Sequence, residues 1–242
     1  MKISVQNLSV SLESNQNIGL LQHFELFERE IAAWTGPSGV GKSTLARALL
    51  SRISSYDLSS YSIEGNVNIS SSESVGYLPQ KEGLVPWSKL ESFYKSIATI
   101  DNDSFKEILD TLDISHLLTR YPTQLSGGEY QRCSLAATLL RPASIMIADE
   151  PLTQVDYSLK IKILEYLKKT LIQRGTAAII ISHDVDLLSF FAEKFVFFET
   201  NNFKTSENKR LGKQEIMEWD RFTKSNEYFE RRTLILDKIK KL

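Results

Sequence analysis

The sequence predicts an α/β protein with a parallel β-sheet, and three observations lead to that fold class. Short apolar segments with strand character alternate with helical segments, an order that is typical of a parallel sheet covered by helices. A glycine-rich loop at residues 36–43 joins a buried strand directly to a helix. A helical block separates two strand-rich parts, which predicts an α-helical subdomain inserted into the core.

The strands are predicted from alternating or apolar runs. The first segment, MKISVQNLSVSL, alternates apolar and polar residues as a half-buried strand does. Short runs bounded by turn residues predict the other strands, which are EIAAWT, NVNI, SVGYLP, SIMIA, TAAIIIS and KFVFFE. The Ser/Tyr-rich segment SSYDLSSYS is expected to be a connecting loop.

The helices are predicted from apolar residues that recur at helical spacing. The segment SFKEILDTLDI carries such a pattern, formed by Phe105, Ile108, Leu109 and Leu112. The segment SLKIKILEYLKKTL repeats an apolar residue every four positions and predicts an amphipathic helix, through Leu159, Ile163, Leu167 and Leu171. Further helices are expected in KSTLARALLSRI, in residues 128–140 and in DVDLLSFFAE.

The composition indicates a globular protein with balanced charge. The chain has 242 residues, 42% of them apolar, and 29 Lys+Arg against 30 Asp+Glu. No global field therefore draws it onto nucleic acid, and no nucleic-acid partner is expected. The single cysteine, Cys133, excludes an internal disulfide framework, suits a reducing compartment and is expected to be a small core residue. No apolar run reaches the roughly 18 residues that a membrane span needs, and the start lacks a signal peptide, so we expect a cytosolic protein.

The glycine-rich loop matches the phosphate-binding pattern G-x-x-x-x-G-K-[ST]. Glycines let backbone N–H groups approach an anion, and the N-terminus of the following helix favours negative charge. Lys42 would reach the β- and γ-phosphates of a nucleotide, and the Ser43 hydroxyl would bind Mg²⁺. The predicted cofactor-binding residues of this loop are Gly36, Ser38, Gly39, Gly41, Lys42, Ser43 and Thr44.

Asp149 and Glu150 end the segment IMIADE, about 105 residues further on. A buried strand there delivers both carboxylates to the sheet edge where open α/β sheets bind ligands. Together with the phosphate loop, the pair predicts phosphoryl-transfer chemistry, in which Asp149 holds Mg²⁺ through its water. Glu150 is then placed to polarise the attacking water.

The segment LSGGEYQR, residues 125–132, places two adjacent glycines at the start of a helix. Ser126 can cap that helix, so the segment forms a second anion-binding terminus. The string resembles the signature of the ATP-binding cassette (ABC) family. The resemblance implies a P-loop NTPase fold with a RecA-like parallel-sheet core. It also implies a pair of chains, in which Ser126, Gly127 and Gly128 act on the ATP bound by the partner chain.

Three further residues match motifs of the same family. Gln80 in GYLPQ matches the Q-loop glutamine, which contacts Mg²⁺ and the attacking water. Asp156 in EPLTQVD matches the D-loop aspartate, which contacts the opposing subunit, and it is also suited to cap a helix. His183 in IIISHD matches the switch histidine, which contacts the γ-phosphate. The resemblance implies catalytic roles for Glu150, His183 and Gln80, and metal binding by Ser43, Gln80 and Asp149.

Three positions depart from the family pattern. The region NLSVSLESN offers Leu12 where an aromatic residue usually stacks on adenine. Arg29 replaces a glycine before the strand EIAAWT, which predicts a less tight turn. Glu129 stands where glutamine is more usual. None of these changes removes a group that hydrolysis requires.

The resemblance covers about residues 1–200. It implies a RecA-like core at about 1–86 and 141–200, a helical signature subdomain at about 87–140, and a helical C-terminal extension at 201–242. The extension has 11 Lys+Arg against 7 Asp+Glu, and EIMEWDRF and RRTLILDKIKKL suggest amphipathic helices. The simpler interpretation is a solvated extension over one face of the core. The alternative is contact with acidic lipid or a partner subunit through Arg231, Arg232, Lys238, Lys240 and Lys241.

Membership of this family would make the chain an ATPase whose cycle moves an attached partner. For a transporter the resemblance implies separate transmembrane permease subunits, a second ATPase subunit of the same or a related chain, and for an importer an extracytoplasmic solute-binding protein. The chain would then sit on the cytoplasmic face of the membrane. The permease would dock in a groove near Gln80, lined by Leu84, Val85, Pro86 and Trp87 of KEGLVPWSKLESF. The alternative is that Pro86 and Trp87 only pack the subdomain junction.

The motifs RYPTQLSGGEYQR and IADEP are most similar to the ATPase subunits of peptide and nickel importers. Lipoprotein-release and macrolide-type export ATPases are the first alternative. A soluble ABC ATPase is another, although such proteins usually carry a coiled-coil insertion or two cassettes. A module that senses ATP without hydrolysis is disfavoured by Glu150 and His183, and phosphate-loop kinases and GTPases do not explain LSGGE.

Overall fold

A computed structural model describes residues 2–12, 17–53, 57–69, 73–80, 83–199, 205–210 and 219–240. The strands are β1 (Ile3–Leu12), β2 (Asn17–Leu26), β3 (Ile31–Thr35), β4 (Tyr61–Ile69), β5 (Val75–Leu78), β6 (Ile145–Asp149), β7 (Ala177–Ile181), β8 (Lys194–Phe198) and β9 (Thr205–Arg210). The helices are α1 (Lys42–Ile53), α2 (Leu90–Ile97), α3 (Asn102–Thr111), α4 (Gly127–Leu140), α5 (Tyr157–Gln173), α6 (Val185–Phe191), α7 (Trp219–Thr223) and α8 (Asn226–Ile239).

The central sheet confirms the predicted α/β class. Six strands pair in the order β5-β6-β7-β3-β8-β9, and the first five run parallel. β9 pairs antiparallel with β8 at the edge and was not predicted. Because parallel strands end at one edge of the sheet, the carboxyl ends of β3, β6 and β7 lie side by side. The residues that follow these three strands form the candidate site described below.

A second sheet, with the order β2-β1-β4, is antiparallel and was missed by the sequence analysis. β2 mixes buried and exposed positions without strict alternation, so its pattern gave a weak strand signal. The segment NVNI belongs to the longer strand β4, which begins at Tyr61. The predicted loop SSYDLSSYS therefore ends two residues too late, and its residues 54–56 lie outside the described part.

Two apolar cores cover the two faces of the central sheet. Along β3 the side chains alternate, so that Ile31 and Ala33 join one core while Ala32 and Trp34 join the other. The first core contains apolar residues of α2 to α6, and Cys133 is buried in it as predicted. The second contains α1, packed between the central sheet and the antiparallel sheet. Helix α1 is thereby fixed with its N-terminus at the end of β3.

The C-terminal helices α7 and α8 pack on the first core. Trp219, Phe222 and Ile235 are buried there, which favours the predicted extension over one face. Arg231 is only 3% exposed, so the alternative in which it contacts lipid is wrong for that residue. Lys241 and the first half of EIMEWDRF, residues 215–218, lie outside the described residues. Among the described helices, none combines the length and apolar character that crossing a bilayer requires.

The turn between β2 and β3 is tight, contrary to the expectation drawn from Arg29. Arg29 adopts φ 62°, the left-handed conformation that a glycine would adopt without cost. The backbone N–H of Glu30 donates to the Phe27 carbonyl at 3.2 Å, and the Phe27 N–H donates to a Glu30 carboxylate oxygen at 2.9 Å. The arginine is held in the strained conformation by these bonds rather than loosening the turn.

Candidate active site

A cleft of about 300 Å³ opens at the carboxyl ends of β3, β6 and β7. It is lined by the predicted site residues Ser38, Gly39, Gly41, Lys42, Ser43, Thr44, Gln80, Asp149, Glu150 and His183, together with Ile18 and Ile181. Ile18 belongs to β2 of the second sheet, and the other residues come from four separate parts of the sequence. The parallel sheet brings them together because each follows or flanks a strand that ends at this edge.

The phosphate loop is shaped by glycines with positive φ. Gly36, at φ 146°, is not among the cleft-lining residues but lies against the Phe198 carbonyl, where a β-carbon would collide. Gly41, at φ 89°, leaves no room for a β-carbon beside the Ile18 carbonyl. Gly39, at φ 80°, faces open space within the cleft. The loop is therefore packed against β8 and β2 on its outer side and open toward the cleft.

Lys42 begins α1 and turns its ammonium back over the loop. Its Nζ donates to the carbonyl of Gly36 at 2.8 Å and to that of Pro37 at 2.7 Å. Burial lowers the pKa of this lysine to about 8, against the opposing attraction of Glu150 and Asp149. A cation with so little hydration is a strong partner for an anion that enters the cleft.

Asp149 and Ser43 offer the oxygen ligands that Mg²⁺ prefers. The Ser43 hydroxyl lies near enough to the Asp149 carboxylate to favour its charged form, while the buried Oδ1 of Asp149 has no hydrogen-bond partner among the described residues. Burial raises the pKa of Asp149, so its charged form lacks full compensation. A buried carboxylate oxygen without a partner, beside a serine hydroxyl, fits a divalent cation.

Glu150 has a strained backbone, at φ 50°, and the residue is 7% exposed. One carboxylate oxygen accepts from the Ser182 hydroxyl and the other from the His183 backbone N–H, both at 3.1 Å. Burial, aided by repulsion from Asp149, raises the pKa of Glu150. The arrangement orients the carboxylate and makes it a better proton acceptor than an exposed glutamate.

His183 follows β7 and faces both the loop and the acidic pair. Its Nε2 lies 3.4 Å from the Ser38 hydroxyl and 3.7 Å from a carboxylate oxygen of Glu150. Burial, with repulsion from Lys42, lowers the pKa of the imidazole. The neutral form is therefore favoured at pH 7, and one ring nitrogen carries a hydrogen that can be donated to a bound oxygen.

Two residues that hold this site were missed by the sequence analysis. Ser182, which is 1% exposed, connects the Glu150 carboxylate to the backbone N–H of Asp184, both at 3.1 Å. Gln131, which is buried in α4, donates to the Glu150 carbonyl at 2.7 Å and accepts from the Gln154 N–H at 2.9 Å. The sequence feature that could have identified them is their position within the motif segments IIISHD and LSGGEYQR.

The signature residues Ser126, Gly127 and Gly128 do not line the cleft. Ser126 caps α4 in a reciprocal capping box with Glu129, whose carboxylate accepts from the Ser126 N–H at 2.7 Å. A β-carbon at either glycine would collide with Gln154. Asp156 likewise lies outside the cleft lining and caps α5 by accepting from the Leu159 N–H at 3.1 Å. These four predicted binding residues are therefore separated from the cleft of their own chain.

Ile18 presents an apolar side to the cleft beside Gly41. Leu12, the predicted replacement for the adenine-stacking aromatic, is not among the lining residues. Residues 13–16, between these two positions, lie outside the described part of the chain. Among the described residues of the antiparallel sheet, Ile18 is the one that lines the cleft, so its side chain could contact the base of a bound nucleotide.

A larger cavity, of about 570 Å³, lies between β5 and the helices α2 and α4. Its wall includes Pro79, the residue that directly precedes Gln80 in the sequence. The four predicted lining residues, Leu84 to Trp87, are absent from this wall. Leu84 is buried in the core, and Trp87 is 80% exposed, which also contradicts the alternative that Trp87 packs the subdomain junction.

Comparisons with known proteins agree with this geometry. A family model described as "ABC transporter" matches residues 22–153. A zinc import ATP-binding protein of Mannheimia succiniciproducens is 31% identical over 192 residues, which are 77% of this chain and 68% of that protein. A maltose/maltodextrin import ATP-binding protein of Vibrio cholerae is 33% identical over 186 residues, 72% of this chain and 49% of that protein. A molybdenum import ATP-binding protein of Haemophilus ducreyi is 28% identical over 192 residues, 76% and 55% of the two chains.

Solved structures show the same fold. An ATP-binding subunit of an ABC transporter superimposes with a TM-score of 0.74 at 19% identity, over 99% of this chain and 98% of that chain. An ATP-binding cassette solved as a dimer in a post-hydrolysis state, with ADP and phosphate, superimposes with a TM-score of 0.70 at 22% identity. That match covers 88% of this chain and all of the other.

This chain spans about half the length of the molybdenum and maltose relatives. The family model nevertheless covers more than half of the chain, and the zinc relative exceeds 30% identity over two thirds of its length. The chain therefore belongs to the ABC transporter family, among its ATP-binding subunits.

Proposed function

We propose that this chain binds ATP with Mg²⁺ and hydrolyses it to ADP and phosphate, as the ATPase subunit of an import system. The observation that carries the proposal is the convergence of Lys42, Asp149, Glu150 and His183 in one cleft at the edge of a parallel sheet. This set supplies a cation, a metal-binding carboxylate, a base and a hydrogen-bond donor, which are the groups that phosphoryl transfer needs.

The phosphates of ATP would lie over the loop from Gly36 to Ser43. Backbone N–H groups of the loop and the Lys42 ammonium would neutralise their charge. Ser43, Asp149 and Gln80 would hold Mg²⁺, which would supply positive charge that offsets the negative charge of the phosphates. The Asp149 oxygen without a hydrogen-bond partner supports this assignment.

Glu150 would act as the general base. Its carboxylate takes a proton from the attacking water, whose oxygen bonds to the γ-phosphorus as the bond to the bridging oxygen of ADP breaks. The bonds from Ser182 and His183 N–H hold the carboxylate in position and leave its remaining lone pairs for water. His183 would donate from its ring to a γ-phosphate oxygen.

A second chain would complete the site. Ser126, Gly127, Gly128 and Asp156 lie outside the cleft of their own chain, which supports their proposed action on the ATP of a partner. ATP would join the two chains, and hydrolysis would remove the joining contacts. The partner is either a copy of this chain or a related ATPase.

The larger cavity is the proposed docking site for the permease. Its wall combines apolar side chains, such as Phe93, Ile97 and Ala137, with polar groups of residues 73–76. A short amphipathic helix from a membrane subunit would fit a groove of this kind. Since Pro79 of this wall directly precedes Gln80, a helix seated there would contact the segment that carries a residue of the cleft.

Import of a small solute through separate membrane subunits is the transport mode that the relatives favour, since the three named above are import ATP-binding proteins. An extracytoplasmic solute-binding protein would then complete the system, and the chain would lie at the cytoplasmic face of the membrane. Peptide or nickel as the cargo stays a prediction from the motifs alone.

The test is a pull-down of tagged Glu150→Gln protein from gently solubilised membranes of its own source, with ATP and Mg²⁺. The substitution should trap the closed pair, so polytopic membrane proteins and a solute-binding protein should be recovered. The same pull-down with ADP is the control and should recover less of the ATPase partner. Recovery of soluble factors alone would contradict the transport function and favour a non-transport ABC ATPase.

A further inference from the structure

Helix α6 directly follows His183 and is held from two sides. Asp184 caps it by accepting from the N–H groups of Asp186 at 3.1 Å and Leu187 at 3.0 Å. On one side, α5 contributes Lys160, which pairs with Asp184, and Lys168, whose Nζ donates to the Phe190 carbonyl at 2.6 Å. Because α6 begins two residues after His183, the orientation of α6 helps to determine the position of the His183 backbone.

On its other side, α6 is hydrogen bonded to the C-terminal helix α8. The Tyr228 hydroxyl and the Arg232 Nε both donate to one oxygen of Asp186, at 2.9 and 3.0 Å. At the opposite end of α6, the buried Arg231 donates to the Ala192 carbonyl and pairs with Glu227 on its own helix. The two ends of α6 are thus both bonded to α8.

Aromatic packing also connects α6 to α8, through the short helix α7. Phe190 of α6 contacts Trp219 and Phe222 of α7, with ring centroids 5.2 and 5.5 Å apart. Phe222 in turn packs against Tyr228 at 5.5 Å. Since an exposed ion pair contributes little alone, this packing secures the contact, and the bonds to Asp186 set where the first turn of α6 lies.

The first turn of α6 is connected to the catalytic carboxylate by a short chain of hydrogen bonds. The N–H of Asp184 donates to the Ser182 hydroxyl, and that hydroxyl donates to Glu150, each at 3.1 Å. The His183 N–H donates to the other oxygen of Glu150. A shift at Asp186 would therefore move both the His183 ring and the partners of Glu150.

We propose that the C-terminal helix α8 is a positioning element for His183, acting through the bonds of Tyr228 and Arg232 to Asp186. The inference rests on the proposed role of His183 in the cleft. Tyr228 and Arg232 are not among the residues that line the cleft, so they would act by fixing α6 and not by contacting nucleotide.

The experiment compares Tyr228→Phe, Arg232→Gln and their combination with the wild-type protein. Tyr228→Phe keeps the ring that packs on Phe222 and removes only the hydroxyl. Asp186→Asn weakens the same contact from the side of α6, because the amide keeps an acceptor for Tyr228 and loses the charge that attracts Arg232. Glu230→Gln is the matched control, since Glu230 is exposed on α8.

The double variant should lose about three- to tenfold in kcat, because small displacements of a catalytic group reduce turnover steeply. ADP affinity should stay within about twofold, since ADP has no γ-phosphate for His183 to contact. Asp186→Asn should show a loss in the same direction, and Glu230→Gln should match wild type.

His183→Ala, assayed alongside, separates two kinds of failure. If His183→Ala lowers turnover while the double variant stays within twofold of wild type, the positioning role of α8 is wrong and the role of His183 stands. If His183→Ala turns over ATP at the wild-type rate, the role of His183 fails and the inference fails with it. A parallel loss of ADP affinity in the double variant would indicate general destabilisation and overturn the inference.

Discussion

Gln131 of α4 donates a hydrogen bond of 2.7 Å to the backbone carbonyl of Glu150, the strained residue that follows β6. The same amide donates to the Thr153 hydroxyl at 3.1 Å, and its oxygen accepts from the Gln154 N–H at 2.9 Å. One buried side chain therefore ties the signature helix to the residue that carries the proposed catalytic carboxylate. The helix proposed to act on the partner's ATP and the base proposed for the chain's own ATP are joined within one chain.

Gln131→Met should reduce turnover by at least about tenfold, because the αL backbone of Glu150 loses the bond that supports its strain of about 1–3 kcal/mol. ATP binding to the loop should change little, since Lys42 and Ser43 keep their own contacts. Steady-state kinetics and direct ATP-binding measurements check this. Gln131→Glu is the matched comparison: it keeps the acceptor for Gln154 but loses the amide donor. A kcat of Gln131→Glu equal to wild type would contradict a role for the donor.

Glu150→Gln should abolish measurable turnover while ATP still binds, because glutamine cannot take the proton of the attacking water. Ser182→Ala should lower kcat by about tenfold, since the carboxylate loses one of its two orienting bonds. Ser182→Thr keeps the hydroxyl and should restore most of the rate. The measurement is phosphate release at saturating ATP. Wild-type turnover in Glu150→Gln would remove that residue from its proposed role.

The site residues at the strand ends of the central sheet could be predicted from the sequence. The residues that hydrogen bond to them and hold them in place could not. Asp149 ends a short apolar strand, and Glu150 and His183 each come just after one, so a parallel sheet brings the three together whatever the details of packing. Gln131 and Ser182 act through single hydrogen bonds to particular atoms, and no periodicity or spacing encodes these bonds. Such contacts depend on three-dimensional positions that are set by the whole core.

Elements at the edges of the fold were also hard to predict. β2 carries polar residues at its exposed positions and pairs with β1 through backbone bonds that do not depend on the identity of most side chains. Arg231 belongs to a basic segment of the sequence, yet it is buried because its guanidinium meets the Ala192 carbonyl and Glu227. Charge counting assigned it to the surface, since counting does not register a partner within the fold.

Arg29→Gly should stabilise the protein. The left-handed conformation of Arg29 costs about 1 kcal/mol, which glycine avoids, although glycine also gives the unfolded chain more freedom. The net effect should raise the thermal midpoint by about 1–3 °C for a chain of this size. Arg29→Ala is the control and should not raise it, because alanine keeps the β-carbon that causes the strain. A thermal scan that ranks alanine above glycine would contradict the strain argument.

Ala137→Arg should abolish assembly with a membrane subunit and leave the ATPase rate of the isolated chain nearly unchanged. Ala137 lines the larger cavity, so an arginine would fill the space proposed for a permease helix. Because it lies outside the cleft, turnover should stay within about twofold. Gln173→Arg adds the same charge at an exposed position of α5 and should assemble normally. Normal recovery of membrane subunits with Ala137→Arg would place the docking site elsewhere.

ATP binding should take up a proton above pH 8. In the nucleotide-free protein burial lowers the pKa of Lys42 to about 8, so at pH 9 most molecules have a neutral amine there. The phosphates of ATP raise that pKa again, since they stabilise the charged form. The apparent Kd for ATP should therefore be flat below pH 8 and rise by up to about tenfold per pH unit above it.

Titration calorimetry at pH 9 in two buffers of different ionisation enthalpy measures this proton directly. Lys168 also has a pKa lowered to about 8 by burial, but it packs on Phe190 rather than in the cleft. Its charge should therefore be the same in the free and bound states, and it should cancel from the difference. The arginine of Lys42→Arg keeps its proton throughout this pH range, so ATP binding to that variant should release or take up almost no protons. An equal proton uptake by Lys42→Arg would assign the titration to another group of the cleft.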